Sequence, residues 1–162
     1  MKMEDSTLSL VVNMAKKAWE TQNERVTKLV DKLTEEQLGG EVAPSRNTGI
    51  YVFGHLIAVN DNLLPLFGFS ERLYPELDVI FLKNPDRSGL PRPSVSELKT
   101  YWQNVNARLT EHMAALEPQA WLQRHTAVSE ADFAKDPNRN KLNVLMNRTS
   151  HQAYHLGQMV LL

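Results

Sequence analysis

Apolar residues recur at helical spacing along four stretches of the chain. In the first, Leu8, Val11, Val12, Ala15, Trp19, Val26, Leu29 and Leu33 return every three or four residues. Lys16, Lys17, Glu20, Glu24 and Lys28 lie mostly outside that stripe. Such periodicity predicts one face of an amphipathic helix. Thr34 followed by Gln37 has capping-box register and predicts one short turn, ended by Gly39-Gly40. The second stretch runs from about Asn47 to Phe67, with Val52, His55, Leu56, Val59 and Leu63 on one face and Ile50, Phe53, Ile57 and Leu64 widening it. Asn47 and Thr48 are its candidate N-caps, and Pro65, lacking a backbone donor, predicts a kink or stop.

The third stretch opens after Pro91-Arg92-Pro93 with Ser94 and Glu97 in capping-box register. Its seam is Val95, Leu98, Trp102, Val105, Leu109, His112 and Leu116, and Pro118 lies just beyond. The fourth begins near Asn140 and reaches Leu162, with Leu142, Leu145, Met146, Ala153, Leu156 and Val160 as its apolar stripe. Residues 68–93 hold Pro75, Pro85, Pro91 and Pro93 and are too long for a tight turn, which predicts a crossover with a helical turn around residues 71–81. A second long connection, residues 118–139, contains Trp121 and Phe133. No stretch alternates as a strand would. The expected fold is all-α, a four-helix bundle with long crossover connections forming one domain over residues 1–162.

Composition narrows the function classes. Of 162 residues, 42% are apolar, enough to bury a core. Eighteen basic and nineteen acidic residues give a formal net charge of −1, so the basic excess that nucleic-acid binding requires is missing. Cysteine is absent, which excludes disulfides, thiolate ligands and a cysteine nucleophile. The short apolar run Leu8–Val12 is no secretory signal, and no segment approaches the roughly 20 apolar residues of a membrane span. The expectation is a soluble, cytoplasmic protein.

Chemistry concentrates in the histidines. His151 and His155 lie four residues apart in the fourth helix, on one face and about one turn, or ~5.4 Å, apart along the axis. Two imidazoles so placed can grip one divalent metal; the competing reading is a solvent-exposed pair. On a helical wheel they fall nearly opposite the apolar stripe, with Val144 and Leu162. That helix is therefore two-sided, one side facing a core or dimer seam and the other a cleft or solvent. His55 sits among aliphatic residues of the second helix, where both ring nitrogens need partners. Joined to the pair, it completes three nitrogen ligands and leaves a coordination position open, the arrangement of a catalytic divalent site. His112 is the rival third ligand because it too lies on an apolar seam, while His125 falls in a connection and reads as incidental. No general acid or base stands out: Asp61 lies further along the second helix, and Tyr154 and Gln158 lie near the pair. Asn147, four residues before His151, is a candidate acceptor for an imidazole N–H.

Gly54-His55-Leu56 in the second helix, with His151-x-x-x-His155-x-Gly157-Gln158 late in the chain, resembles the DinB-like (YfiT-like) metalloenzyme superfamily. The resemblance covers essentially the whole chain, in length, helix number, crossover and histidine order. It implies a four-helix bundle, frequently a homodimer, holding a divalent metal on three histidines completed by water. Carried onto this sequence, the ligands would be His55, His151 and His155. Zinc, nickel and iron(II) all suit neutral nitrogen ligands. Some relatives are transferases or isomerases that use low-molecular-weight thiols, and such a thiol would have to be external here. The expected function is thus a metal-dependent transferase, isomerase or hydrolase acting on a small molecule, with no nucleic-acid or membrane partner. The alternatives are a non-catalytic metal- or ligand-binding bundle and an interaction module.

Overall fold

The first periodic stretch forms one continuous helix, α1 (Lys2–Lys32). Here and below, the computed structural model describes residues 2–162, with side chains from Ser6 onward. Val12, Trp19, Val26 and Val30 are its buried positions. The Thr34–Gln37 capping box then opens α2 (Glu35–Gly39), whose Leu38 is buried. Among the described residues there is no strand, only two isolated bridges, Glu41 with Thr48 and Arg124 with Asn140. No helix among them is long and apolar enough to cross a membrane.

Thr48, not Asn47, caps the next helix: its side-chain oxygen accepts from the Tyr51 N–H at 3.3 Å. That helix, α3 (Gly49–Asp61), is buried along nearly its whole length except at Tyr51 and His55, as expected of a segment apolar on more than one side. The stop expected at Pro65 comes earlier. The helix breaks at Asn62 and a short α4 (Leu63–Leu66) follows. Pro65 has no N–H to donate to the Asp61 carbonyl, and its ring would collide with that carbonyl in a continuous helix.

Buried Asp61 organises the start of the crossover. Its carboxylate accepts from the backbone N–H of Leu73 (2.8 Å) and Tyr74 (2.9 Å) and from Arg72 Nε (3.2 Å). The expected helical turn forms only in the second half of residues 71–81, as α5 (Leu77–Phe81). After the Ser94–Glu97 capping box comes α6 (Val95–Ala115), burying Val95, Leu98, Trp102, Val105, Leu109 and Met113. The second connection contains more structure than expected: a 3-10 turn (Pro118–Leu122) that buries Trp121, then α7 (Glu130–Lys135) capped by Ser129.

The last helix, α8 (Lys141–Met159), starts at Asn140, whose side chain accepts from the Asn143 N–H at 2.9 Å. Its buried face differs from the apolar stripe. Leu142, Leu145, Gln152 and Met159 are buried with Thr149 and Leu156 half-buried between them, while Met146, Ala153 and Val160 are exposed. The seam runs through polar positions because Gln152 finds partners in the core. Asn60 Nδ2 donates to Gln152 Oε1 (3.2 Å) and to Asn106 Oδ1 (3.3 Å), and Gln152 Nε2 donates to Asn23 Oδ1 (2.6 Å). One amide network thus ties α1, α3, α6 and α8, the four long helices, to a common register.

Candidate metal centre

His55 of α3 and His151 and His155 of α8 converge, with one nitrogen of each within 4.8 Å of the others. His151 Nε2 lies 3.3 Å from His55 Nε2 and 3.1 Å from His155 Nε2. Two of the rings are fixed from behind. His55 Nδ1 is 3.1 Å from the Phe81 carbonyl oxygen, and His155 Nδ1 is 2.8 Å from Gln158 Oε1. Both partners are acceptors, so Nδ1 carries the proton in each ring and Nε2 is left with a bare lone pair.

Burial lowers the pKa of all three rings, and His151 is pushed down to about 4 by burial and by the positive charges that His155, His55 and Arg148 can carry. Neutral imidazoles are the form that ligates metals. They also create a conflict without one: a proton on His151 Nε2 can point at only one of its two lone-pair neighbours. A cation resolves it. Tetrahedral ligands at 2.0–2.1 Å from a metal stand about 3.3 Å apart, so the two separations from His151 Nε2 fit a shared divalent ion. The three-histidine group could therefore bind a metal ion.

Local sequence explains the placement. Spacing four residues apart puts His151 and His155 on one flank of α8. His55 is brought to them from α3, 96 residues away from His151 in the chain. Gly54 lets α5 approach α3 closely, because a β-carbon there would overlap the Phe81 ring. That approach delivers the Phe81 carbonyl to His55.

Other sequence candidates fall elsewhere. His112 stacks on Phe69, with ring centroids 5.1 Å apart and planes 13° apart, and stands outside the cluster. His125 also lies outside it. Asp61 is consumed by the crossover, and Asn147 donates to Asn143 Oδ1 at 3.4 Å instead of serving an imidazole. Gln158 does orient a histidine, and its Nε2 donates to the Tyr154 hydroxyl at 3.2 Å. Two features escaped the sequence reading: the Phe81 carbonyl, a backbone atom with no side-chain signature, and Arg148, signalled only by its place one turn before His151. Next to His155 opens a cavity of about 300 Å³, lined by Val42, Ser45, Arg46, Asn47, Val52, Tyr154 and Gln158. Ser45 in its wall has φ 62°, the left-handed region that a serine rarely adopts.

No curated protein matches the chain. The family model of the DinB superfamily does, over residues 18–159, a span that contains all three histidines and the four long helices apart from the first part of α1. The histidine geometry and this match agree, and the chain belongs to the DinB superfamily.

Proposed function

We propose that this protein holds one divalent metal on the Nε2 atoms of His55, His151 and His155 and acts as a metal-dependent transferase, isomerase or hydrolase on a small molecule. The observation that carries this reading is the convergence of three Nε2 atoms, two of them turned inward by acceptors behind the rings. Three neutral nitrogens leave coordination positions for water or a substrate heteroatom. A metal held there supplies a Lewis acid, able to polarise a carbonyl or acidify water. The chain's own residues do the rest: the Phe81 carbonyl and Gln158 hold two imidazoles in their ligating tautomer, and the cavity beside His155 gives a small molecule access. A thiol co-substrate would have to come from solution, since the chain has no cysteine.

Zinc, nickel and iron(II) suit the donor set equally. The test is metal analysis of protein purified without a histidine tag, on the parent and on His55→Ala, His151→Ala and His155→Ala. About one metal per chain in the parent and a loss in each variant is the expected result. Parent protein without metal, even after incubation with zinc, nickel or iron(II), would sink the reading. A non-catalytic metal-binding role is the second reading, favoured by the lack, among the described residues, of any carboxylate acting on the three imidazoles. Screening electrophiles with a thiol, with and without chelator, separates the two.

We also propose a homodimer. Leu10, Val11 and Met14 on α1 and Met146, Val160 and Leu161 on or just past α8 are exposed, and α1 and α8 pack against one another. A second copy covering these apolar side chains would remove them from water. Sedimentation should give twice the 18.5 kDa chain mass at micromolar concentration; a monomer there refutes the dimer.

A further inference from the structure

Arg148 lies on α8 one turn before His151 and two turns before His155, on the flank those residues share. It is half-buried, yet it donates no hydrogen bond and joins no ion pair among the described residues. The contrast with Arg72 is sharp: that guanidinium, also partly buried, is held by both Asp61 and Asp78. A charge taken partly out of water without a partner is unfavourable, so a site that keeps one has a use for it.

The charge of Arg148 acts on His55 and His151. Among the described residues, no carboxylate acts on Arg148 or on any of the three imidazoles. Filled with a divalent ion, this site would carry three positive charges from ion and arginine and no negative one. Only a ligand from outside can balance that.

Building on the metal reading, we propose that Arg148 is the recognition residue for a carboxylate of the substrate, held beside the metal by the guanidinium fork. A single planar guanidinium matches one carboxylate through two parallel N–H···O bonds. Among the described residues the other cation near the site, Arg46, lines the cavity beside His155 and does not act on the histidines, so Arg148 offers one fork on its own, which favours a carboxylate over a phosphate, a more highly charged anion with more acceptors to satisfy. The substrate class is therefore a small organic acid whose reacting group reaches the open coordination position.

The test uses the full chain loaded with Co²⁺, whose visible absorption reports on its ligands. Metal content is measured first, for the parent, Arg148→Met and Arg148→Lys. Acetate, inorganic phosphate and imidazole are then titrated as carboxylate, phosphate and neutral probes. The expected result is one Co²⁺ per chain in all three proteins, with acetate bound about 10- to 100-fold more weakly by Arg148→Met and imidazole bound equally well. Arg148→Lys, which keeps the charge and loses the fork, should fall between. Equal acetate affinity in the parent and Arg148→Met at full Co²⁺ occupancy overturns the proposal. So does an equal loss of acetate and imidazole binding, which marks a structural role, and so does a phosphate response that depends on Arg148 while acetate is silent. If Arg148→Met does not fold, Arg148→Lys decides: undiminished acetate binding overturns the proposal. A parent that takes up no Co²⁺ is a different failure, of the metal reading beneath it.

Discussion

Gly54 and the Phe81 ring occupy one space: a β-carbon at position 54 would overlap the ring, whose backbone carbonyl lies 3.1 Å from His55 Nδ1. The glycine beside the first histidine is thus a packing requirement on which the placement of the His55 ring depends. Gly54→Ala should push α5 away from α3, release the carbonyl and let the His55 ring turn. The expected cost is about 1–3 kcal/mol of stability from overpacking. Loss of the acceptor behind His55 should weaken metal binding about 10- to 100-fold, read by competition against a chelator. Unchanged metal affinity would show that the carbonyl does not orient the ring.

Gly157 is the control. A β-carbon there meets nothing within 4 Å, although this glycine also stands beside the histidine pair in the sequence. Gly157→Ala should raise stability by about 0.5–1 kcal/mol through the helix-propensity gain alone. Metal affinity should not change. A loss of stability in a urea titration would mean that another surface approaches α8 at this point.

The three histidines were legible because each carried a pattern: a spacing of four on one helix, and an imidazole on an otherwise aliphatic face. The groups behind them were unevenly legible. Gln158 could be named as a candidate, since three residues after His155 is within reach on a helix, but the Phe81 carbonyl could not. It comes from a crossover 26 residues away, and every residue has a carbonyl. The α8 face was misread for a related reason. Apolarity assigned Met146, Ala153 and Val160 to the core, yet buried Gln152 takes a core position because Asn23 and Asn60 wait for it on other helices. A polar residue with distant partners looks like an interruption until the partners are known.

That placement predicts what Gln152 contributes. Gln152→Ala would orphan the Asn60 and Asn23 amides in the core and leave a cavity. The expected loss is about 2–4 kcal/mol in urea unfolding. His151 is the neighbouring residue, so metal affinity should fall as well. A loss under about 0.5 kcal/mol would mean water replaces the amide and the network does not set the register.

Asp61 separates structural carboxylates from catalytic ones. It is fully buried in α3 and wholly occupied by the Leu73 and Tyr74 N–H groups and by Arg72 Nε. Asp61→Ala should cost about 3 kcal/mol, since both backbone donors lose their acceptor while Arg72 keeps Asp78. Metal content in the folded fraction should remain that of the parent. Metal lost in step with stability would show that the crossover start and the histidine cluster are coupled more tightly than their separate contacts imply.

Gln158 isolates the effect of one orienting group. It is half-buried and accepts from His155 Nδ1–H at 2.8 Å, so Gln158→Leu leaves that proton without its partner and frees the ring to rotate or to move the proton to Nε2. Either change spoils Nε2 as a ligand. Metal affinity should fall about 10- to 100-fold while the unfolding midpoint of the metal-free protein moves little, because the residue packs at the edge of the core. Gln158→Glu supplies an acceptor of the same shape with a full negative charge, which strengthens the bond to Nδ1–H and makes Nε2 more basic. It should therefore bind metal at least as tightly as the parent. The pair of variants distinguishes orientation from packing: if Gln158→Glu and Gln158→Leu lose affinity equally, the hydrogen bond to His155 is not what holds the ligand.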